Sequence, residues 1–162
     1  MPTQALPEPD DVRAVLHGLL GRDITARSVP PESIALDKRF VVGLYEREDA
    51  KIGGLVVADL EIAAYAGAAL SLLPIGVAKE SISDGSIEDS LLENFQEVLN
   101  VGVRWFTAKG NPRVVLAEVF PPGIKLPDDV RVAMAAPNAR LDVEADVAGY
   151  GSGRIRLLAM DF

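Results

Sequence analysis

The most constraining feature of this sequence is a predicted helix over 60–72 that is apolar on nearly every side. Alanine dominates it, and it carries neither lysine nor arginine. A helix with this pattern is buried all round, so other elements have to surround it. Its small residues let a neighbouring helix approach closely. Asp59 is a plausible N-cap, and Pro74 ends the helix.

The preceding segment is a predicted β-hairpin. Phe40–Tyr45 and Ile52–Ala58 have the apolar character of strands, and the polar run 46–51 lies between them as the turn. The apolar stretch that follows, residues 55–78, is interrupted by Asp59, Glu61 and Pro74. It therefore divides into a strand and a helix of the core and does not form a membrane span.

The other elements give the fold class. A helix runs from Asp10 to about Leu20, where Gly21 stops it, and residues 22–38 form a connection with one short strand. A third helix starts near Ser86, which has capping-box spacing to Asp89, and runs to about Ala108, after an acidic loop. Four strands are predicted after it: Arg113–Phe120, Val130–Met134, Leu141–Val147 and Arg154–Met160. The order predicts an α+β fold, an antiparallel sheet packed with long helices.

Length and composition bound the organisation. The 162 residues, 49% of them hydrophobic, suit one domain, which we place at 10–162 behind a flexible, proline-rich segment 1–9. The chain has no cysteine, which excludes disulfides and cysteine-based metal sites and fits a reducing compartment. The net charge of −8 argues against nucleic acid and anionic membranes as partners. With no signal-peptide pattern at the N-terminus, we predict a cytoplasmic protein.

Three possible sites are weak. His17 is the only histidine, and no nucleophile motif accompanies it. The glycines of 149–153 lie between strand-like segments, which indicates a hairpin turn and not a phosphate loop. Glu93 and Glu97 have the spacing of helical metal ligands, but no Glu-x-x-His partner accompanies them. We therefore predict no metal and no cofactor.

The third helix carries the strongest candidate site. Its apolar stripe consists of Ile87, Leu91, Phe95, Val98, Leu99, Gly102 and Phe106. At about 100° per residue, Glu93, Glu97, Asn100 and Arg104 fall within roughly 60° of one another on the opposite face. A carboxylate and a carboxamide thus project side by side into solvent. The alternative interpretation is an ordinary solvated helix face on which the asparagine occurs by chance.

On these residues the sequence resembles the CheC/CheX/FliY family of bacterial chemotaxis proteins, which dephosphorylate the response regulator CheY. The family motif is Ser or Asp, three residues, Glu, two residues, Asn, on a long helix. Glu97 and Asn100 match its two catalytic positions, and Gly102 matches a small-residue step just after the Asn. The order of hairpin, buried helix, acidic loop and motif helix also agrees. One position departs, because Glu93 stands where Ser or Asp is common. A single motif makes the chain more like CheX than CheC.

The resemblance implies a function and partners. Asn100 would orient the water that attacks the aspartyl phosphate of a CheY-like response regulator, and Glu97 would pair with the regulator's lysine. Glu93 and Arg104 would contact the partner. Likeness to CheX implies a homodimer, for which Val114–Val119 and Ile155–Ala159 are the candidate apolar edge segments. Two alternatives stay open: a non-catalytic module that docks on a regulator or a flagellar switch component, supported by the Glu93 departure, and an unrelated structural protein.

Overall fold

The fold is described from a computed structural model, which describes residues 6–35, 39–107 and 111–160. The helices are α1 (Pro9–Leu20), α2 (Leu60–Leu70), α3 (Ile75–Asp84), α4 (Asp89–Val101) and α5 (Asp128–Ala135). The strands are β1 (Ile24–Ser28), β2 (Phe40–Arg47), β3 (Ile52–Asp59), β4 (Val114–Phe120), β5 (Ala139–Val147) and β6 (Gly151–Ala159). The chain is therefore α+β, as the sequence predicts.

The six strands form one antiparallel sheet in the order β1-β5-β6-β3-β2-β4. The predicted hairpin is confirmed, with Phe40 opposite Asp59 and Leu44 opposite Leu55. A second hairpin joins β5 to β6 through a turn at Gly149, which has a φ of +84°. The C-terminal hairpin thus lies in the middle of the sheet, between β1 and β3.

Helix α2 is the centre of the helix layer on one face of the sheet. As predicted, nearly all of its residues are buried. Gly67 is where it meets α4 most closely, because a Cβ added there would lie 2.5 Å from the backbone oxygen of Leu91. The main apolar core forms where α1, α2 and α4 meet the sheet, and it includes Leu16, Ile62 and Phe95.

The opposite face of the sheet is covered in part by α5. Our prediction of a strand at Val130–Met134 is wrong, because the segment is helical. Val130, Ala133 and Met134 are its buried residues, and their spacing of three and four places them on one side of a helix. They pack on Phe40, Val42 and Leu158.

Two further predictions need correction in the segment around the third helix. The acidic loop before it contains α3, which ends at Gly85 with a φ of +70°. The third helix begins later and ends earlier than predicted. Its N-cap is Glu88 and not Ser86, and the α-helix stops at Val101, followed by a turn of 3-10 helix at Gly102–Trp105. Glycine suits this turn because an added Cβ would lie 2.7 Å from the Trp105 ring.

The strand order contradicts one of the two segments that we predict for dimerisation. Strand β4, which contains Val114–Val119, is an edge strand. Ile155–Ala159 is not at an edge, because β6 pairs with β5 on one side and β3 on the other. Of the two predicted segments, only the one in β4 therefore has backbone groups that are free to pair with another chain.

The predicted boundary between the flexible segment 1–9 and the domain lies near the start of the described residues. Residues 1–5 of the predicted flexible segment 1–9 lie outside the described residues, and α1 begins at Pro9. The division into 1–9 and 10–162 stays a prediction.

Among the described helices, none combines the length and the apolar character that a bilayer crossing requires.

Candidate functional site

Helix α4 has one buried and one exposed face, as its sequence periodicity predicts. Leu91, Phe95, Val98 and Leu99 are fully buried. Glu93, Glu97 and Asn100 are exposed. Side chains three or four residues apart on a helix lie about 5–6 Å apart at Cβ, so Glu97 is next to both Glu93 and Asn100.

The middle of α4 is fixed to α2 by Asn94. Its side-chain amide donates to the backbone oxygen of Gly67 at 2.8 Å and to Ser71 Oγ at 2.7 Å. Together with the close approach at Gly67, these bonds hold α4 against α2 three residues before Glu97 and six before Asn100. No pattern in the sequence points to Asn94, because its partners lie on α2 and at the end of that helix.

The C-terminal end of α4 is fixed to the sheet by Tyr45. The Tyr45 hydroxyl donates to the backbone oxygen of Leu99 at 2.6 Å. Tyr45 is fully buried, and its burial raises the pKa of the phenol well above the ordinary value. It therefore stays protonated and remains a donor. Carbonyl groups in the last turn of a helix lack partners within the helix, and Tyr45 supplies one directly before Asn100.

The Leu99 side chain adds a second contact with β2. A Cβ added at Gly43 would lie 3.3 Å from both Leu99 methyl groups, so the helix lies close to the strand here. Just beyond α4, the Trp105 indole N–H donates to the backbone oxygen of Asp11 at 3.2 Å. The helix that carries Glu97 and Asn100 is thus attached to α2, to β2 and, through the following turn, to α1.

The structure brings three of the four predicted site residues together. Glu93, Glu97 and Asn100 share the exposed face of α4. Arg104 is also exposed, but it belongs to the 3-10 turn, where it lines a surface cavity with Asp11 and Val15 of α1. Within the described part of the chain, no ion pair links Arg104 to Glu93 or Glu97.

The exposed pair, Glu97 and Asn100, offers one carboxylate and one carboxamide. Among the residues that the structure describes, neither Glu97 nor Asn100 has a hydrogen-bond partner for its side chain, so both groups are available to a partner molecule. The surroundings are acidic. Exposed carboxylates run from α3 through α4: Glu80, Asp84, Glu88, Asp89, Glu93 and Glu97. A carboxylate here can pair with a cation, and a carboxamide can both donate to and accept from a water molecule.

The other candidate positions have ordinary structural roles. His17 is exposed in the last turn of α1, with Nδ1 2.8 Å from the backbone oxygen of Arg22. The glycine-rich segment forms the β5–β6 hairpin turn, in which Tyr150 N–H donates to the backbone oxygen of Val147. No group of three or more metal-ligating side chains occurs in the portion of the chain described here.

The comparisons with known proteins bear on the fold. No protein-family model and no curated protein sequence matches this chain. Among solved structures, the FliM middle domain from H. pylori matches with a TM-score of 0.62 and 8% identity, over 94% of this chain and 84% of that one. A structure of the FliG–FliM complex from H. pylori matches with a TM-score of 0.58 and 7% identity, over 94% and 86%.

FliY from Thermotoga maritima matches with a TM-score of 0.51 and 12% identity, over 91% of this chain and 82% of that one. At such low identities the comparisons establish the architecture and leave the chemistry to the residues themselves. The chain has the CheC-like fold that FliY and the FliM middle domain share.

Proposed function

We propose that this protein dephosphorylates the aspartyl phosphate of a CheY-like response regulator in chemotaxis or motility signalling. The observation that carries the proposal is the exposure of Glu97 and Asn100, side by side, on a helix held firmly to the rest of the molecule. The resemblance of their spacing to the CheC/CheX/FliY motif and the CheC-like fold support it.

In the proposed mechanism the chain supplies only positioning. The regulator brings its phosphate, its own Mg²⁺ and a lysine. The Asn100 carboxamide enters the regulator's site and orients a water molecule for in-line attack on phosphorus, as a glutamine does in GTPases. The Glu97 carboxylate pairs with the regulator's lysine and fixes the docking. The attachments of α4 through Asn94 and Tyr45 restrict its motion, which favours a precise approach.

The proposal also covers the flanking contacts with the regulator, the cellular location of the protein and its assembly. Glu93 and Arg104 would contact the regulator on either side of the central pair. The protein would act in the cytoplasm, where response regulators are found. Two chains would form a homodimer through the β4 edge, which leaves α4 of each chain accessible on a face of the sheet.

The test is a single-turnover assay with phosphorylated CheY-like regulators of the source organism. We expect wild-type protein to accelerate phosphate release and Asn100→Ala to abolish the acceleration, because losing the group that orients the water costs about 3 kcal/mol or more, roughly a hundredfold in rate. Glu97→Ala should weaken docking as well as rate. Glu80→Ala, on α3, is the matched control and should behave as wild type. An Asn100→Ala variant that releases phosphate at the wild-type rate would contradict the mechanism.

A second candidate is a non-catalytic module that docks on a regulator or a flagellar switch component. The match to FliM, which the FliG–FliM complex shows assembled with FliG, favours it. The negative charge of Glu93 beside Glu97 favours it too, because like charges at this spacing oppose each other. Binding without any acceleration of phosphate release, measured with both wild type and Asn100→Ala, would establish this role in place of the phosphatase.

A further inference from the structure

A second site lies on the face of the sheet opposite to α4. It is a cleft of about 370 Å³ between the start of β2, the loop after β4 and helix α5. Ligand sites for small molecules commonly have about 300–1,000 Å³, so the cleft has the size for one. None of the residues proposed for the phosphatase lines it.

The floor of the cleft is apolar. Phe40 and Val42 come from β2, where alternate residues face away from the α4 layer, and Leu126 and Met134 close the other side. Ile124 stands at the rim with 54% of its surface exposed. An apolar group of a ligand would displace water mainly from Ile124 and Leu126, because Phe40, Val42 and Met134 are already buried.

The walls are cationic. Among the residues that the structure describes, Arg39, Lys125 and Arg131 line the cleft and no carboxylate does. This is a marked local reversal in a chain with a net charge of −8. Arg131 pairs with Asp128 through one Nη, while its buried Nε has no hydrogen-bond partner within the described part of the chain. Arg131 remains a cation in the wall of the cleft, and a cationic wall favours an anionic ligand group.

The loop geometry keeps Arg39 at the cleft. Gly123 has a φ of +87°, and a Cβ added there would lie 3.4 Å from Arg39 Nη1. The guanidinium of Arg39 is exposed, and it lies close to the backbone of this loop and of Gly85.

From these observations we propose that the cleft binds a small soluble anion with an apolar body, such as a medium-chain or aromatic carboxylate or sulfonate. The apolar body would lie on Phe40, Val42 and Met134, and the anionic group would lie between Arg39, Lys125 and Arg131. A free molecule is preferred to a lipid headgroup, because the net charge of −8 opposes approach to an anionic membrane. This site is independent of the proposed phosphatase activity.

The test uses anilinonaphthalene sulfonate as the probe, with its uncharged analogue phenylnaphthylamine. We expect saturable binding of the sulfonate at one site, displaced by decanoate, and weaker binding of the analogue. Lys125→Glu should weaken sulfonate binding at least about fivefold, because it reverses an exposed charge at the rim of the cleft beside the ligand. Lys79→Glu, the same charge change at an exposed position on α3 that does not line the cleft, should leave the affinity within about twofold.

Amide chemical shifts locate the probe directly. Perturbations centred on Phe40, Gly123 and Met134 would support the proposal, while perturbations centred on α4 would overturn it. Equal affinity for the charged and uncharged probes, or equal losses in the two lysine variants, would also overturn it. Sedimentation with phosphatidylglycerol vesicles would overturn the assignment to a soluble anion.

Discussion

The two faces of α4 differ in what a substitution can do to them. On the inner face, Leu91, Phe95, Val98 and Leu99 are fully buried, and the helix meets α2 and β2 at close range. On the outer face, Glu97 and Asn100 touch solvent. Stability is therefore concentrated on one side of the helix and the proposed chemistry on the other, so the two can be altered separately. Substitutions on the two faces should therefore separate loss of stability from loss of activity.

The largest effect is expected at Gly67. Gly67→Ala places a methyl group 2.5 Å from the Leu91 backbone oxygen, so α2 and α4 have to move apart. We expect a loss of about 2–3 kcal/mol in the free energy of unfolding, the upper part of the range for overpacking. The measurement is urea unfolding followed by circular dichroism.

Gly18→Ala is the matched control. Gly18 is an exposed glycine within α1, and an added Cβ meets nothing within 4 Å. Alanine is the better helix former, so this variant should be more stable by about 0.5–1 kcal/mol. Equal changes in the two variants would mean that α2 and α4 are not closely packed.

A smaller loss is expected for Tyr45→Phe. The substitution removes the hydroxyl that donates to the Leu99 backbone oxygen and leaves that carbonyl buried without this donor. The cost should be about 1–2 kcal/mol. Amide hydrogen exchange should also accelerate in the last turn of α4 relative to the first. Unchanged exchange there would show that Tyr45 does not fix the end of the helix.

The pH dependence of stability gives an independent measure of Tyr45. Burial raises its pKa in the folded state above the ordinary value near 10. Above pH 10 the unfolded chain loses this proton and the folded chain keeps it. Stability therefore falls as pH rises, by up to about 1.4 kcal/mol per pH unit for one such group. Tyr45→Phe should lose less stability than wild type between pH 9.5 and 11; identical slopes would contradict the prediction.

The smallest effect on stability is expected on the outer face. Asn100→Ala removes an exposed side chain, and alanine is the better helix former, so the free energy of unfolding should change by less than about 0.5 kcal/mol. A thermal melt beside that of wild type checks this. A loss above 1 kcal/mol would mean that the Asn100 side chain supports the fold.

Much of the architecture could be predicted because apolar periodicity determines which side of an element is buried. The hairpin, the buried α2 and the two faces of α4 all follow from that rule. The prediction for Val130–Met134 is wrong because a short apolar run fits a strand and a helix equally well. Helix α3 is not predicted because Pro74 and the acidic residues that follow indicate a loop. The end of α4 depends on a contact between Gly102 and Trp105 that periodicity does not encode.

The candidate site could likewise be predicted only in part from the sequence. Helical geometry alone places Glu93, Glu97 and Asn100 on one face. Arg104 was placed with them on the assumption of a continuous α-helix, but the change to 3-10 geometry after Val101 turns it toward α1. Tyr45 and Asn94 could not be identified as anchors, because their partners are backbone oxygens 54 and 27 residues away in sequence.

The strand order also has a consequence for biosynthesis. Strand β1 pairs only with β5, and β3 obtains its second neighbour only from β6. While the ribosome is still adding the segment up to residue 159, the N-terminal half has no complete sheet on which α1 and α2 can pack, and two strand edges stay open. Pairings between such distant parts of a chain form slowly. The nascent polypeptide would thus complete its native sheet only after β6 has left the exit tunnel, and the strand edges that are open until then favour aggregation.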